Sequence, residues 1–269
     1  MTSGFLASYL ERTGLDEAGP PGLATLRKLH AAHVAAIPFE NLDILLGRGI
    51  SLDLDRLQAK LIQQRRGGYC FEQNTLFLAV LRELGFEATA REARVRAGTA
   101  AILPRTHMVL QVGIAGGDWL ADVGFGGEGP LEPVPMQGAH PAPAQGLAYR
   151  VMAEGDVRVL QMRSGGAWLD QYAILPQPVL PVDFEVANWY TSTHPQSRFV
   201  RGLTAQRTTR EARYVLRYPT YTEIRQGETV TRDISRGELM PLLREVFLID
   251  LPDDTVFPVV DGAVERALA

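Results

Sequence analysis

The sequence predicts an α+β protein in which helices come first, a largely antiparallel sheet or barrel follows, and a mixed segment ends the chain. Three observations lead to this fold class. Apolar residues recur at helical spacing over the first 85 or so residues, they alternate with a period of two after Gly85, and glycines and prolines separate the strand-like runs that follow. The chain has 269 residues, 46% of them hydrophobic, so it can bury a core and a ligand cleft together.

Four helices are expected in the N-terminal part, because each apolar stripe is followed by a residue that ends a helix. The stripes lie within residues 5–10, 23–34, 54–61 and 70–84. Gly14 follows the first stripe, and Pro38 ends the second because a proline disfavours helical backbone in the residue before it. Gly67-Gly68 close the third stripe, and Gly85 ends the fourth.

A β-hairpin is expected after the helices. Residues 107–114 alternate between the two faces of a strand, and Gly116-Gly117 mark a turn before a second strand at residues 119–123. Further short strands are expected at residues 149–152, 157–162, 168–174, 214–218, 221–225 and 229–234.

Prolines and glycines shape the remaining segments. The stretch 129–146 is rich in both and is expected to be a long surface connection, and three prolines within 176–181 break the chain again. Ser235–Glu238 has the form of a capping box. Pro241 interrupts a simple helix there, so a helix that starts at Met240 with Pro241 in its first turn is the alternative.

Charge and the chain ends exclude several classes of protein. The net charge is −4 with both signs mixed along the chain, whereas a dedicated nucleic-acid binder shows a basic face. The N-terminus lacks the basic region of a signal peptide, and no apolar run reaches the length of a membrane helix. A cytoplasmic enzyme that binds neither nucleic acid nor membrane is therefore the expectation.

The chain contains one cysteine, Cys70. A lone cysteine excludes an internal disulfide and the cysteine clusters that hold zinc or iron–sulfur groups, which leaves an inert core thiol or a reactive one. Gly67-Gly68 let the backbone turn sharply before it, and at the first turn of a helix the free N–H groups and the dipole favour a thiolate. Arg65 and Arg66 either add positive charge near the sulfur or are solvated.

A reactive cysteine needs a base, and His107 at the start of a strand is the rigidly placed candidate. His30 and His33 lie one helical turn apart, a metal-binding spacing, but no carboxylate partner is evident and metal binding is not expected.

Asp122 stands among apolar residues and needs a partner such as an imidazolium. If Gly116-Gly117 form a two-residue turn, however, Asp122 lies four residues from His107, about 13 Å along the strand. Contact then needs a longer loop, a bulge or another pairing, which the sequence leaves open.

Five blocks resemble the signature of the arylamine N-acetyltransferases, in the order of that family. They are Ile37-Pro-Phe-Glu-Asn-Leu42, Arg66-Gly-Gly-Tyr-Cys-Phe-Glu-Gln-Asn74, His107, Asp122-Val-Gly-Phe-Gly126, and Asn188-Trp-Tyr-Thr-Ser-Thr-His-Pro195 with Phe199. The resemblance implies a helical bundle over residues 1–85, a central antiparallel β-barrel over 86–195 and a C-terminal α/β lid over 196–269. It also implies a cysteine-protease-like arrangement of the catalytic residues.

The resemblance further implies a ping-pong acetyl transfer from acetyl-CoA to arylamines or arylhydrazines, with no metal. Carried over by position, Cys70 is the nucleophile, His107 the base, and Asp122 the residue that orients and charges His107. The implied pocket aromatics, for which core packing is the alternative, are Phe39, Phe125 and Phe199. The implied coenzyme contacts are Thr106, Gly124, Gly126 and Gly127.

Two other functions remain open from the sequence. The same catalytic residues serve amide-forming or hydrolytic acyltransferases that use another donor or acceptor, such as macrolactam synthases. A non-catalytic small-molecule binding protein is the other alternative, although such a protein has no need for Cys70, His107 and Asp122 together. The physiological amine, the preferred acyl group and the choice between monomer and homodimer are not determined by the sequence.

Overall fold

The computed structural model describes residues 4–96, 99, 101–127, 129–139 and 147–258. The helices are α1 Gly4–Thr13, α2 Leu23–Ala36, α3 Leu42–Leu45, α4 Leu54–Leu57, α5 Cys70–Glu83, α6 Pro181–Thr193, α7 Arg198–Arg201 and α8 Arg236–Glu245. The strands are β1 Phe39–Glu40, β2 Glu87–Val95, β3 His107–Ile114, β4 Gly117–Ala121, β5 Val134–Pro135, β6 Gly138–Ala139, β7 Ala148–Glu154, β8 Val157–Ser164, β9 Ala167–Ile174, β10 Thr204–Thr208, β11 Ala212–Arg217, β12 Thr220–Arg225 and β13 Glu228–Asp233.

The four predicted N-terminal helices are confirmed. Helix α1 ends before Gly14, whose φ of 72° suits glycine, and α5 ends before Gly85 with φ of 85°. The third helix begins regularly as α4 and then widens into π-helical turns over Gln58–Gln63. These helices pack around one core that also takes in Cys70 and the face of β3 and β4 that is turned toward them. The start of α5 is therefore held between the helices and the large sheet.

The large sheet is antiparallel throughout and has the strand order β5-β4-β3-β2-β9-β8-β7-β6. Its two ends approach each other where β5 meets β7, so the sheet is a nearly closed barrel. Its interior is filled by apolar side chains that include Val109, Tyr149 and Tyr172. The predicted α+β class with a central antiparallel barrel is confirmed.

The hairpin turn differs from the predicted one. Ile114 pairs with Gly117, so the two turn residues are Ala115 and Gly116, and Gln111 opposes Leu120 instead of Asp122. Gly116 is the second of the two turn residues and has a φ of 102°. In a turn of this kind the second residue needs a positive φ, which suits glycine, whereas the first does not, so alanine fits at position 115. The register consequently shifts by two residues and brings the end of β4 closer to the start of β3.

Two further segments also differ from prediction. Within the expected surface connection, Leu131 and Val134 are buried and β5 forms, while residues 140–146 lie outside the described part. The last of the three prolines expected to break the chain, Pro181, opens α6 at a position where its missing N–H is not needed. Sequence periodicity could not separate these cases, because both depend on what the segment packs against.

The second sheet joins the segment after α2 to strands from the last third of the chain, in the order β1-β10-β11-β12-β13. Strand β1, which directly follows α2, pairs with β10. Helix α8 begins after Ser235 with the predicted capping box, so the alternative start at Met240 is wrong. Pro241 lies inside α8, downstream of an N-terminus that the cap already holds. No helix that the structure describes is both long and apolar enough to cross a membrane.

Candidate active site

Cys70 is the first residue of α5, as predicted. The carboxylate of Glu72 accepts the backbone N–H of Tyr69 over 3.0 Å and pairs with the Lys60 ammonium at 2.7 Å. A side chain at Gly68 would come within 2.7 Å of that carboxylate, so this position requires glycine. The Cys70 sulfur lies 3.7 Å from the carbonyl oxygen of Thr106, which faces it across the site.

The loop before Cys70 is held by the segment around β1. The N–H of Gly68 donates to the Pro38 carbonyl, and the N–H of Glu40 donates to the Gly68 carbonyl. Arg66 is buried and pairs with Glu40 at 2.8 Å and with Asp43 at 3.1 Å. Of the two alternatives for Arg66, solvation is wrong because the side chain is buried, and its charge is paired with two carboxylates beneath the loop instead of standing free beside the thiol.

The structure brings His107 and Asp122 into direct contact. The Nε2 atom of His107 lies 2.8 Å from Oδ2 of Asp122, and both side chains are buried. Because a carboxylate accepts, Nε2 carries the proton, and Cys70 is the other neighbour that acts on the imidazole. The altered hairpin register permits this contact. If the pairing is extended by one residue, Asp122 lies opposite Val109, and His107 is two residues from Val109 on the same face of β3. Asp122 is therefore a diagonal neighbour of His107.

The Asp122 carboxylate is fully hydrogen-bonded. Besides His107, it accepts from the Asn74 amide at 3.0 Å, the Gly124 N–H at 3.0 Å and the Tyr172 hydroxyl at 2.8 Å. Tyr172 also packs its ring against His107, with the ring centroids 4.8 Å apart. A buried carboxylate with four donors is fixed in one orientation and remains charged.

Electrostatics follow from this geometry. Burial lowers the pKa of His107, but the facing Asp122 carboxylate and Cys70 raise it more, to about 10. Burial raises the pKa of Asp122, but His107, Asn74 and the Gly124 N–H lower it to below its ordinary value. Burial and the neighbouring Asp122 charge raise the pKa of Tyr172, so its hydroxyl stays protonated as a donor. At neutral pH the site therefore holds an imidazolium beside the sulfur.

The predicted glycines after Asp122 have different surroundings. Gly124 lies against the start of α5 and lines the cleft over Cys70. Gly126 has a φ of 87° and no room for a side chain beside Gln206. The N–H of Gly127 donates to the Gln206 side chain. Packing against neighbouring elements therefore explains the glycine at each position.

A cleft of about 440 Å³ opens above the Cys70 sulfur. Among its walls are Phe39, Phe125 and Phe199, together with Thr106, so the predicted aromatic residues do converge on the site. Phe39 and Phe199 have ring centroids 5.9 Å apart. Tyr190 and Thr191 belong to a block quoted for the resemblance, and the lining residues that sequence reasoning did not name are Val95, Leu103, Pro104, Gln196, Ser197 and Arg198.

The other histidines of the helical part are accounted for by hydrogen bonds. His33 contacts the Tyr9 hydroxyl at 3.0 Å and the Gln73 amide oxygen at 2.8 Å. His30 contacts the backbone of Asp122 and of Leu131. Among the described residues, no group of three or more histidine, cysteine or acidic side chains is arranged to hold a metal.

The residues that sequence reasoning missed are those whose contacts come from distant parts of the chain. Tyr172 follows the period of strand β9 and nothing near it in the sequence marks it as a partner of Asp122. Asn74 belongs to a quoted block, and its amide bridges Asp122 and the Met108 carbonyl. The one signal in the sequence is Asp122 itself, because a buried carboxylate needs more hydrogen-bond donors than a single imidazole supplies.

Comparison with known proteins agrees with this geometry. A family model described as N-acetyltransferase matches residues 22–256. The arylamine N-acetyltransferase of Mycolicibacterium smegmatis is 41% identical over 255 residues, which cover 92% of this chain and 93% of that protein.

Solved structures of similar proteins superpose over nearly the whole chain. Arylamine N-acetyltransferase from Salmonella typhimurium is 34% identical, with a TM-score of 0.90 and 100% of both chains covered. The Mycobacterium marinum arylamine N-acetyltransferase in complex with CoA is 33% identical, with a TM-score of 0.88, covering 97% of this chain and 98% of that one. Sequence, fold and site thus agree, and the chain belongs to the arylamine N-acetyltransferase family.

Proposed function

We propose that this protein transfers an acetyl group from acetyl-CoA to the nitrogen of arylamines or arylhydrazines, through an acetyl thioester on Cys70. The observation that carries the proposal is that Cys70 and His107 line the same aromatic-walled cleft, with His107 bonded to Asp122 at 2.8 Å. The names of the similar proteins support the reaction.

In the first half of the reaction, the Cys70 thiolate attacks the carbonyl carbon of the acetyl thioester. A bond forms between that carbon and the Cys70 sulfur, and the bond to the coenzyme A sulfur breaks. The departing sulfur takes a proton from the His107 imidazolium, so coenzyme A leaves as a thiol. Asp122 holds His107 in the orientation that allows this transfer.

In the second half, the amine nitrogen attacks the acetyl carbon on Cys70. His107, neutral after the first half, takes the proton that the nitrogen loses, and the Cys70 thiolate departs. The amide product leaves, and the Cys70 thiolate and the protonated His107 are restored. A weakly basic arylamine is largely unprotonated near neutral pH and can attack directly, whereas an alkylamine is mostly protonated, so the aromatic class follows from the chemistry.

The cleft suits these substrates. Phe39, Phe125 and Phe199 offer ring faces and edges against which an aryl group packs. For coenzyme A, Thr106 and Gly124 line the cleft beside the sulfur. Gly126 and Gly127, the other two glycines expected at the coenzyme, pack against Gln206 and are not among the residues that line this cleft. The relative solved in complex with CoA supports a coenzyme A site in this fold.

The decisive experiment is intact-mass spectrometry after brief exposure to acetyl-CoA without amine. We expect one acetyl group on the protein, and because Cys70 is the only cysteine, a Cys70→Ala variant that stays folded gives no thioester. Adding an aryl hydrazine should then discharge the acetyl group. Release of coenzyme A at a similar rate with and without the amine would indicate hydrolysis and contradict the proposal.

The same measurement identifies the acyl group. Parallel exposure to propionyl-CoA and malonyl-CoA shows which chain remains on Cys70 after a fixed short time. A protein that is charged faster by either of these than by acetyl-CoA would keep the proposed chemistry but contradict the proposed donor.

A further inference from the structure

Helix α2 carries two buried histidines that the proposed chemistry does not use. The Nε2 atom of His30 lies 3.2 Å from the backbone nitrogen of Asp122, and its Nδ1 lies 3.1 Å from the carbonyl oxygen of Leu131. His33, one turn further along the helix, contacts Tyr9 and Gln73 instead. His30 is thus the histidine of α2 that touches the residue facing His107.

The partners of His30 determine its tautomer. The Leu131 carbonyl can only accept a hydrogen bond, so Nδ1 of His30 carries the proton. In a neutral imidazole Nε2 then has a lone pair, which accepts the N–H of Asp122. Burial lowers the pKa of His30 to about 4, although Asp122 and Glu132 act against this shift, so the imidazole is neutral at physiological pH.

Asp122 needs this acceptor because of where it lies in the sheet. Strand β4 ends at Ala121, so the backbone of Asp122 has left the strand ladder while it is still buried. A buried N–H without a partner is costly, and the imidazole supplies one at the point where the chain turns toward Cys70. The side chain of Asp122 meets His107 from this backbone position.

We propose that His30 is a positioning residue for the acetyl transfer: its Nε2 holds the Asp122 backbone so that the carboxylate faces His107. This inference rests on the proposed function, because it concerns the ion pair that prepares Cys70 for attack. His30 itself is not among the residues that line the cleft over Cys70. It acts through Asp122, and it is the acceptor atom at the position of Nε2 that matters.

Two substitutions distinguish the roles of the two ring nitrogens of His30. In His30→Gln the longer side chain can place an amide oxygen where Nε2 lies, and it retains an acceptor for the Asp122 N–H. In His30→Asn the shorter amide reaches the Leu131 carbonyl but not Asp122. His33→Asn is the matched control, since it makes the same change at an equally buried histidine of the same helix.

The readouts are the pH dependence of Cys70 alkylation by iodoacetamide and kcat/KM with acetyl-CoA and an aryl hydrazine. For His30→Asn we expect the midpoint of the alkylation profile to move upward and kcat/KM to fall about tenfold, since an unsatisfied buried donor is costly. His30→Gln and His33→Asn should keep the wild-type midpoint. Folding of each variant is checked by thermal unfolding.

Two results would overturn the inference. A wild-type alkylation profile in folded His30→Asn would make His30 merely structural, and an equal upward shift in His30→Gln would exclude the acceptor as the cause. The proposed function fails separately, if wild-type protein forms no acetyl thioester. That failure leaves the alkylation comparison of the variants still readable.

A measurement on the wild-type protein keeps the inference testable even if His30→Asn does not fold. In uniformly 15N-labelled protein, the ring-nitrogen chemical shifts show which nitrogen of His30 is protonated. We expect a proton on Nδ1 and a lone pair on Nε2 at neutral pH, with hydrogen-bond coupling from the Asp122 amide to Nε2. A proton on Nε2 would contradict the inference directly.

Discussion

The Cα of Gly124 lies directly against the start of α5: a Cβ at position 124 would come within 2.7 Å of the Cα of Cys70. The same Cβ would lie 2.8 Å from the Asn74 amide nitrogen, which donates to Asp122. The strand end that carries Asp122 and the helix that carries Cys70 therefore approach too closely to admit a side chain at position 124. A glycine at this position sets the distance between them.

Gly124→Ala should consequently cost about 1–3 kcal/mol of unfolding free energy, because backbone has to move to admit one methyl group. We expect kcat/KM to fall by about tenfold or more as Cys70 shifts relative to His107. Thermal unfolding and steady-state kinetics measure the two effects. Gly237→Ala is the control, since a Cβ there meets nothing within 4 Å and alanine favours the helix. Equal stability of both variants would contradict the close-approach interpretation.

Tyr172→Phe removes one donor from the Asp122 carboxylate and leaves the ring against His107. We expect kcat/KM to decrease by about three- to tenfold, with a loss of about 1 kcal/mol in stability. Tyr149→Phe serves as the control because its hydroxyl contacts the Gly129 carbonyl elsewhere in the barrel. If both variants lose the same activity, the effect comes from the barrel core and not from Asp122.

The contribution of the His107–Asp122 pair to stability should depend on pH. The folded pKa of His107 is raised to about 10, so its contribution is complete below the ordinary histidine value of about 6.5 and is lost as pH rises through 10. The folded pKa of Asp122 is lowered, so its contribution is present above the ordinary value of about 3.9 and is lost as pH falls through the folded pKa. The stability difference between wild type and Asp122→Asn should therefore be largest between about pH 4 and 6.5.

Denaturant unfolding of both proteins between pH 4 and 10 tests this expectation. If the stability difference between the two proteins is constant across that range, Asp122 does not raise the pKa of His107 in the folded protein. The His107→Gln variant provides the complementary case: it should abolish the alkaline part of the profile and move the acid part to higher pH, because His107 is the main group that lowers the pKa of Asp122.

Substitutions in the Lys60–Glu72 pair beneath α5 should have non-additive effects on stability. Both side chains are nearly inaccessible, and Glu72 also accepts the N–H of Tyr69, directly before Cys70. Lys60→Met leaves buried carboxylates without this partner and should destabilise the protein by about 3–5 kcal/mol, whereas Lys60→Met with Glu72→Gln should cost less than the sum. A double-mutant cycle by chemical unfolding measures the coupling. Additive losses would show that the two charges do not interact.

Much of the fold followed from local patterns in the sequence. Helix α5 was predicted because an apolar stripe runs between Gly68 and Gly85, and β3 because its side chains alternate between two faces. Helix α6 was not predicted, since its apolar residues are spread around it and Val186 and Trp189 are exposed. Pro181 indicated a break from sequence alone, but once the preceding chain is extended it is a favourable first residue of a helix.

By itself, the sequence determined the chemical groups of this site: one thiol at a helix start, one histidine at the start of a strand and one carboxylate among apolar residues. Tertiary structure decided which groups meet. The turn at Ala115-Gly116 brought Asp122 to His107, and two further contacts of Asp122 come from Tyr172 and His30, 50 and 92 residues away in the chain. Periodicity reports which face of an element is buried, but hydrogen bonds between distant segments depend on where whole elements pack, and no local pattern encodes that.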